Sequence, residues 1–298
     1  MIRMTDAGAF PPGDLDRTAT RRTPVLCEQN PNEGDPVAEV WSTIRREGIE
    51  AVERDSLMAG PLNAALLRHA SFADGLAGRL ARKLADADLG VAALTALFSE
   101  AMADEPGIVR AAARDLAAVR DRDPACPDLI TPFMFFKGYL SLQGFRVSHW
   151  LWKRDRRHLA HHVQSRLSEK FGVDIHPAAR VGCGIMIDHG TGLVIGETAI
   201  VEDDVSILHG VTLGGTGKEC GDRHPKIRRG VLLGAGAKLL GNIEVGEGAK
   251  VGAGSIVLDD VAPHTTVVGI PAKPVGPKLV DLPAFTMDQM IAPPEYMI

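Results

Sequence analysis

Two hydrophobic rhythms divide the chain. From Pro36 onward apolar residues recur every three or four positions: Val37, Val40, Trp41, Ile44 and Val52, then Leu76, Leu80 and Leu84. Val91, Leu94, Leu97, Phe98 and Met102 make another stripe, and Ile108, Ala112, Leu116 and Val119 a further one. After a proline-broken stretch (Pro124, Pro127, Pro132) the spacing returns in Phe145, His149 and Trp152, and in Leu159, Val163, Leu167 and Phe171. Such spacing puts one apolar stripe on each of several helices, and Asp35-Pro36 reads as a cap followed by a residue suited to the first helical position. Helices of this kind bury their stripes against one another, which predicts an antiparallel α-helical bundle over residues 35–172.

The rhythm changes at Val173. Ile175, Val181 and Ile187 stand six apart; after a slip of two the series resumes at Ile195, Val201, Ile207 and Leu213. It returns at Leu233, Leu239, Val245, Val251 and Val257, often with glycine following, as in Val245-Gly246 and Val251-Gly252. A six-residue repeat is a short strand plus a turn, three of which make one coil of a triangular prism. This predicts a parallel β-helix over residues 173–272, interrupted by a loop at 214–230. Spacing does not set its hand; parallel crossovers are ordinarily right-handed. Residues 1–34, rich in Pro, Gly, Asp, Thr and Arg, read as a disordered leader, and 273–298 as a tail.

Composition narrows the chemistry. At 45% hydrophobic and 24% charged residues, the 298-residue chain is globular. Its net charge of -5, without a basic block, excludes a protein that tracks a phosphate backbone. Small molecules or proteins are the expected partners. The four cysteines are scattered, with no C-x-x-C pair, and read as reduced thiols. No apolar run long enough to span a membrane and no signal segment is present, so a cytoplasmic location is expected by elimination.

Repeats build structure, so breaks in the repeat are where chemistry is expected. The first is Ile187-Asp188-His189-Gly190-Thr191-Gly192; the second is the loop carrying Arg223-His224. An imidazole that titrates near neutrality suits removal of a proton from an attacking hydroxyl. A carboxylate on its other nitrogen would fix the tautomer and stabilise the imidazolium. Asp174 precedes His189 by 15 residues, close to the roughly 18 of a coil of three hexapeptides, so the two are expected to meet between adjacent coils.

Several stretches together resemble serine acetyltransferases: Val173-Asp174-Ile175-His176-Pro177, the break at Ile187–Gly192, Val205-Ser206-Ile207-Leu208, Val211-Thr212-Leu213-Gly214-Gly215-Thr216-Gly217-Lys218 and Gly221-Asp222-Arg223-His224-Pro225-Lys226-Ile227. Upstream, Arg122-Asp123-Pro124-Ala125, Lys137-Gly138-Tyr139-Leu140 and His149-Trp150-Leu151-Trp152 extend the likeness to about residues 36–275. The resemblance implies a left-handed parallel β-helix after the helical bundle, and transfer of acetyl from acetyl-CoA, as co-substrate without a metal, to L-serine. It implies His189 as general base with Asp174 as its partner. Arg223 and His224 would hold the serine carboxylate, and Asp123 and Asp188 its ammonium. Gly215, Thr216, Ala235 and Ala253 would line the coenzyme groove, with Lys273 at a CoA phosphate. It further implies a trimer or dimer of trimers, feedback inhibition by L-cysteine, and docking of the terminal Ile298 into O-acetylserine sulfhydrylase.

Other readings stay open at this point. The same fold and base could serve homoserine, a sugar or an antibiotic, and a catalytically idle scaffold would keep the fold alone. A zinc-dependent enzyme of the carbonic anhydrase type would need three converging histidines with an open position. His176, His189, His209, His224 and His264 show no H-x4-H pair, and the helical trio His158, His161, His162 reads better as a solvated face.

Overall fold

The computed structural model describes residues 36–217 and 220–291. The helical stripes become α1 (Pro36–Arg54), α2 (Ala59–Leu62), α3 (Phe72–Leu84), α4 (Val91–Asp104), α5 (Gly107–Arg122), α6 (Ile130–Phe135), α7 (Lys137–Lys153) and α8 (Arg157–Phe171). α3 packs on α4 and α7 on α8, while α5 bridges α1 and α7. Val40, Ile44, Leu76, Leu80, Leu84, Phe98 and Leu116 from the expected stripes are buried in this core. The proline-broken stretch is not merely a linker: Ile130, Phe133 and Met134 of α6 are buried too. α8 ends at Gly172, whose φ of 68° is the left-handed conformation glycine adopts without a Cβ penalty.

Beyond Gly172 the chain winds into a three-faced parallel solenoid. On the first face Val173–Ile175 pairs with Leu193–Ile195, and Thr212–Gly214, Lys238–Leu240 and Ile256–Val257 follow in order. The second face stacks Arg180–Val181, Ile200–Val201, Lys226–Ile227 and Glu244–Val245. The third stacks Met186–Ile187, Ser206–Ile207, Leu232–Leu233, Lys250–Val251 and Thr266–Gly269. The expected inward series forms three vertical columns: Ile175, Ile195, Leu213, Leu239 and Val257; Val181, Val201 and Val245; Ile187, Ile207, Leu233 and Val251. Every member is at most 6% exposed. Ile227, which the reading of the sequence left inside the loop, belongs to the second column between Val201 and Val245. The loop therefore rejoins the repeat six residues earlier than expected. A final antiparallel strand, Ala272–Val275, pairs with Thr266–Gly269 and covers the edge that a parallel stack would leave open.

Helices and solenoid share one core. α5 and α7 pack on Met186–Ile187, and α8 lies along Val173–Ile175. Gly138, in the first turn of α7, meets the Ile187 carbonyl so closely that a Cβ would overlap it. Asp115 of α5 is fully buried and accepts from Arg146 of α7 at 2.6 Å, from Gln143 at 3.1 Å and from the Ile185 backbone at 2.9 Å. Arg146 in turn donates to the Gly182 carbonyl at 2.7 Å. After the solenoid the chain returns across the third face: the Ala284 carbonyl accepts from Ser206, and the ring of Phe285 in α9 (Pro283–Thr286) lies 4.5 Å from the Arg122 guanidinium. The expectation of reduced cysteines fits Cys126 and Cys220, which are free, but Cys183 is disulfide-bonded. The expected leader (1–34) and Ile298 lie outside the described residues.

Candidate functional site

The two-residue slip acts at the corner that joins the third face to the first. Ile187 pairs with Ile207, yet the next strand starts two residues later than in a regular coil, so the chain bows outward at His189-Gly190. His189 adopts φ 55° and Gly190 φ 74°, and the imidazole is 74% exposed. Its Nε2 lies 3.7 Å from Asp188 Oδ1. One coil on, the ring of His209 meets it edge-to-face at 5.9 Å between centroids. Lys137, at the start of α7, donates to Thr191 Oγ1 on the same bow. His209 and Lys137 were not among the expected site residues. His209 was nonetheless legible, because it holds the repeat position one coil after His189.

Above His209 the same corner carries Ala235 and Ala253. Their place is set by a ladder in which Gly210 N donates to Thr191 O, Gly236 N to His209 O and Gly254 N to Ala235 O, each at 2.8 Å. The three glycines have φ near 70° (69°, 72° and 69°), a left-handed turn repeated once per coil. Small residues along this edge leave the backbone accessible to a long, thin ligand.

Arg223 and His224 sit on a different corner, where the first face turns into the second. Gly215 and Thr216 are there as well, with Gly215 packed against the Arg223 side chain. Thr198, which the reading of the sequence missed, organises this corner. Its Oγ1 accepts from the backbone N–H of Arg223 at 3.0 Å and of His224 at 3.1 Å. The Thr198 N–H donates to His224 Nδ1 at 3.2 Å, so Nδ1 is the acceptor and the proton resides on Nε2. Burial, then the charges of Arg223 and Lys226, hold the His224 pKa below its usual value. The result is a neutral imidazole whose one donor is Nε2–H. Gly196 makes room for it, since the His224 ring lies where a Cβ would project. Arg223 is engaged by Glu197 at 2.7 Å, which holds that carboxyl below the usual range.

Asp174 lies on the first face between the two corners. Its Oδ1 accepts from Gln164 of α8 at 2.7 Å. The contact with His189 expected from spacing is not made: among the described residues no hydrogen bond or ion pair joins them. The cause is geometric. Asp174 points off the sheet toward α8, while the slip carries His189 outward at the corner. Asp123 caps the C-terminal end of α5, accepting from Ala125 N at 2.8 Å, and α5 packs on the strand that leads into Asp188-His189. Lys273 is exposed on the last strand.

Within one chain the expected site residues thus form two groups on two corners, His189 with Asp188 on one and Arg223 with His224 on the other. Among the described residues no hydrogen bond or ion pair connects them. Nor does any group of three or more His, Cys, Asp or Glu side chains among those residues have the arrangement to hold a metal ion. His162 of the helical trio lies 3.6 Å from Asp86, and His161 bonds Gln164.

Comparison with known proteins agrees over most of the chain. Residues 40–144 match the family described as serine acetyltransferase, N-terminal, and residues 224–259 match bacterial transferase hexapeptide repeats. A serine acetyltransferase of Salmonella typhimurium is 52% identical over 250 residues, covering 84% of this chain and 92% of the relative. Three solved structures are similar over most of the chain. A serine acetyltransferase in complex with cysteine is 47% identical with a TM-score of 0.84, covering 85% of this chain and 99% of that one. One from Brucella abortus in complex with coenzyme A is 47% identical with a TM-score of 0.79, covering 80% and 95%. A soybean enzyme complexed with serine is 50% identical with a TM-score of 0.79, covering 82% and 100%.

Proposed function

Because the chain belongs to the serine acetyltransferase family, we propose that it transfers the acetyl group of acetyl-CoA to the hydroxyl of L-serine, giving O-acetyl-L-serine and CoA as the first step from serine toward cysteine. The observation that carries this reading is identity near one half over more than four-fifths of the chain, with the motif residues set at the two breaks of the solenoid. In this reading His189 takes the hydroxyl proton as the serine oxygen attacks the thioester carbonyl. It returns that proton to the departing CoA sulfur as the tetrahedral intermediate collapses. Asp174 orients the imidazole and offsets its charge.

Amino-acid recognition needs cations for one end of the substrate and anions for the other. Arg223 and the Nε2 donor of His224 are assigned to the serine carboxylate, and Asp123 and Asp188 to its ammonium. Since these groups sit on separate corners, the complete pocket requires the second corner of a neighbouring chain, which favours the trimer or dimer of trimers. The pantetheine arm of acetyl-CoA is assigned to the edge of Ala235 and Ala253 and to Gly215 and Thr216, with Lys273 at a phosphate. L-cysteine, which shares both charged ends with serine, is assigned the same pocket as feedback inhibitor. The location is taken as the cytoplasm; no helix among the described residues is long and apolar enough to cross a membrane.

A panel of acceptors tests the reading. Serine, and not homoserine or a sugar, is expected to drive CoA release from acetyl-CoA; equal rates with homoserine would overturn the substrate assignment. The metal-dependent alternative is not favoured by the relatives. For the tail, deleting Ile298 is expected to spare acetyl transfer while weakening binding to O-acetylserine sulfhydrylase. Unchanged affinity by calorimetry would remove Ile298 from the interface.

A further inference from the structure

Gln164 lies outside every motif that pointed to function, yet it makes the one hydrogen bond to the Asp174 carboxylate found among the described residues. We propose that Gln164 is the positioning residue for Asp174, holding one carboxylate oxygen so that the other is presented to His189. The proposal rests on the assignment of Asp174 and His189 as a pair.

The chemistry of the contact fixes its direction. An ionised carboxylate only accepts, so the Gln164 amide must turn its NH₂ toward Asp174 Oδ1, at 2.7 Å. Its carbonyl oxygen then faces His161 Nδ1 at 2.9 Å, and that nitrogen must carry the proton. The His161 ring is itself held edge-on by Trp152 at 5.4 Å and by His176 at 5.5 Å. Gln164 is therefore fixed at both ends, in contrast to a surface glutamine free to rotate. Asp174 Oδ2 has no hydrogen-bond partner among the described residues. The bow of His189-Gly190 meets the residues just before Asp174, with Gly190 against the buried Val173 and the Gly192 N–H bonded to Gly172 O at 2.7 Å, while no hydrogen bond or ion pair among the described residues joins Asp174 to His189. The titratable and charged groups around the contact are His161 on α8, His176 just after the first strand, and Glu197 and Arg223 across the corner.

The test is a double-mutant cycle in the full-length enzyme. Gln164→Met keeps length and removes the donor. It is expected to lower kcat about tenfold with the KM for serine nearly unchanged, because a misplaced carboxylate affects the transition state more than binding. The acid limb of kcat/KM should move to lower pH, since an imidazole that loses its anionic partner titrates lower. In an Asp174→Asn background the same change should cost nothing further, as expected when two residues act through one contact. Thermal unfolding monitors the fold, and Gln164→Leu, which also lacks the donor and adds no charge, gives the same reading where the methionine variant folds poorly. Equal losses in both backgrounds, or full activity of Gln164→Met beside an impaired Asp174→Asn, would overturn the proposal alone. An unimpaired Asp174→Asn would remove the pair and the proposal together.

Discussion

Replacing His189 with alanine is expected to reduce turnover by about 10² to 10⁴ and leave the fold in place. The imidazole is 74% exposed, and what it touches is the ring of His209 and, at 3.7 Å, Asp188. Removing it therefore opens no cavity. The backbone is a different matter: φ is 55°, and alanine in that region costs roughly 1–2 kcal/mol. His189→Asn separates the two effects, since asparagine tolerates the left-handed conformation and has no basic nitrogen. Both variants should lose CoA release with serine to a similar degree. Near-wild-type release by either purified variant would show that the base is another group, and His209 would be the first candidate on position.

Asp115→Ala is expected to destabilise the protein by about 3–5 kcal/mol, the range for removing one partner of a buried ion pair. The aspartate is fully buried and the Arg146 side chain 8% exposed, so truncation strands a cation and the Ile185 N–H away from water. Arg146 also holds the Gly182 carbonyl, so the loss falls on the joint between helices and first coil. Helical and solenoid signals should shift together in urea unfolding. The exposed pair Arg46–Glu50 is the control: Glu50→Ala should cost less than about 1 kcal/mol, because solvent screens both charges. A shift for Asp115→Ala no larger than the control would show that water reaches the joint.

The rhythm of the sequence was sufficient to find the helices and the solenoid because each obeys a short-range rule. Leu76, Leu80 and Leu84 share a helix face whatever they pack against, and Val245, Val251 and Val257 turn inward because the strand-and-turn unit repeats every six residues. Ile227 was lost for the same reason: the long loop broke the local count, and only pairing with Val201 and Val245 restores it. Glu197 and Thr198 carried no motif of their own. They became visible when the first corner brought them against Arg223 and His224.

The breaks in the repeat also marked His189 and the Arg223-His224 loop correctly as the irregular places, since a break is a local property of the chain. What only tertiary structure decided is which breaks share a corner. A prism sends consecutive hexapeptides to different faces, so separation along the chain does not say whether two residues face one cleft. That geometry turned Asp174 toward Gln164, set Arg223 beside Glu197, and kept His189 and His224 on separate edges. Those contacts join positions 10 to 26 residues apart, beyond the reach of any periodicity and set only once the coils stack.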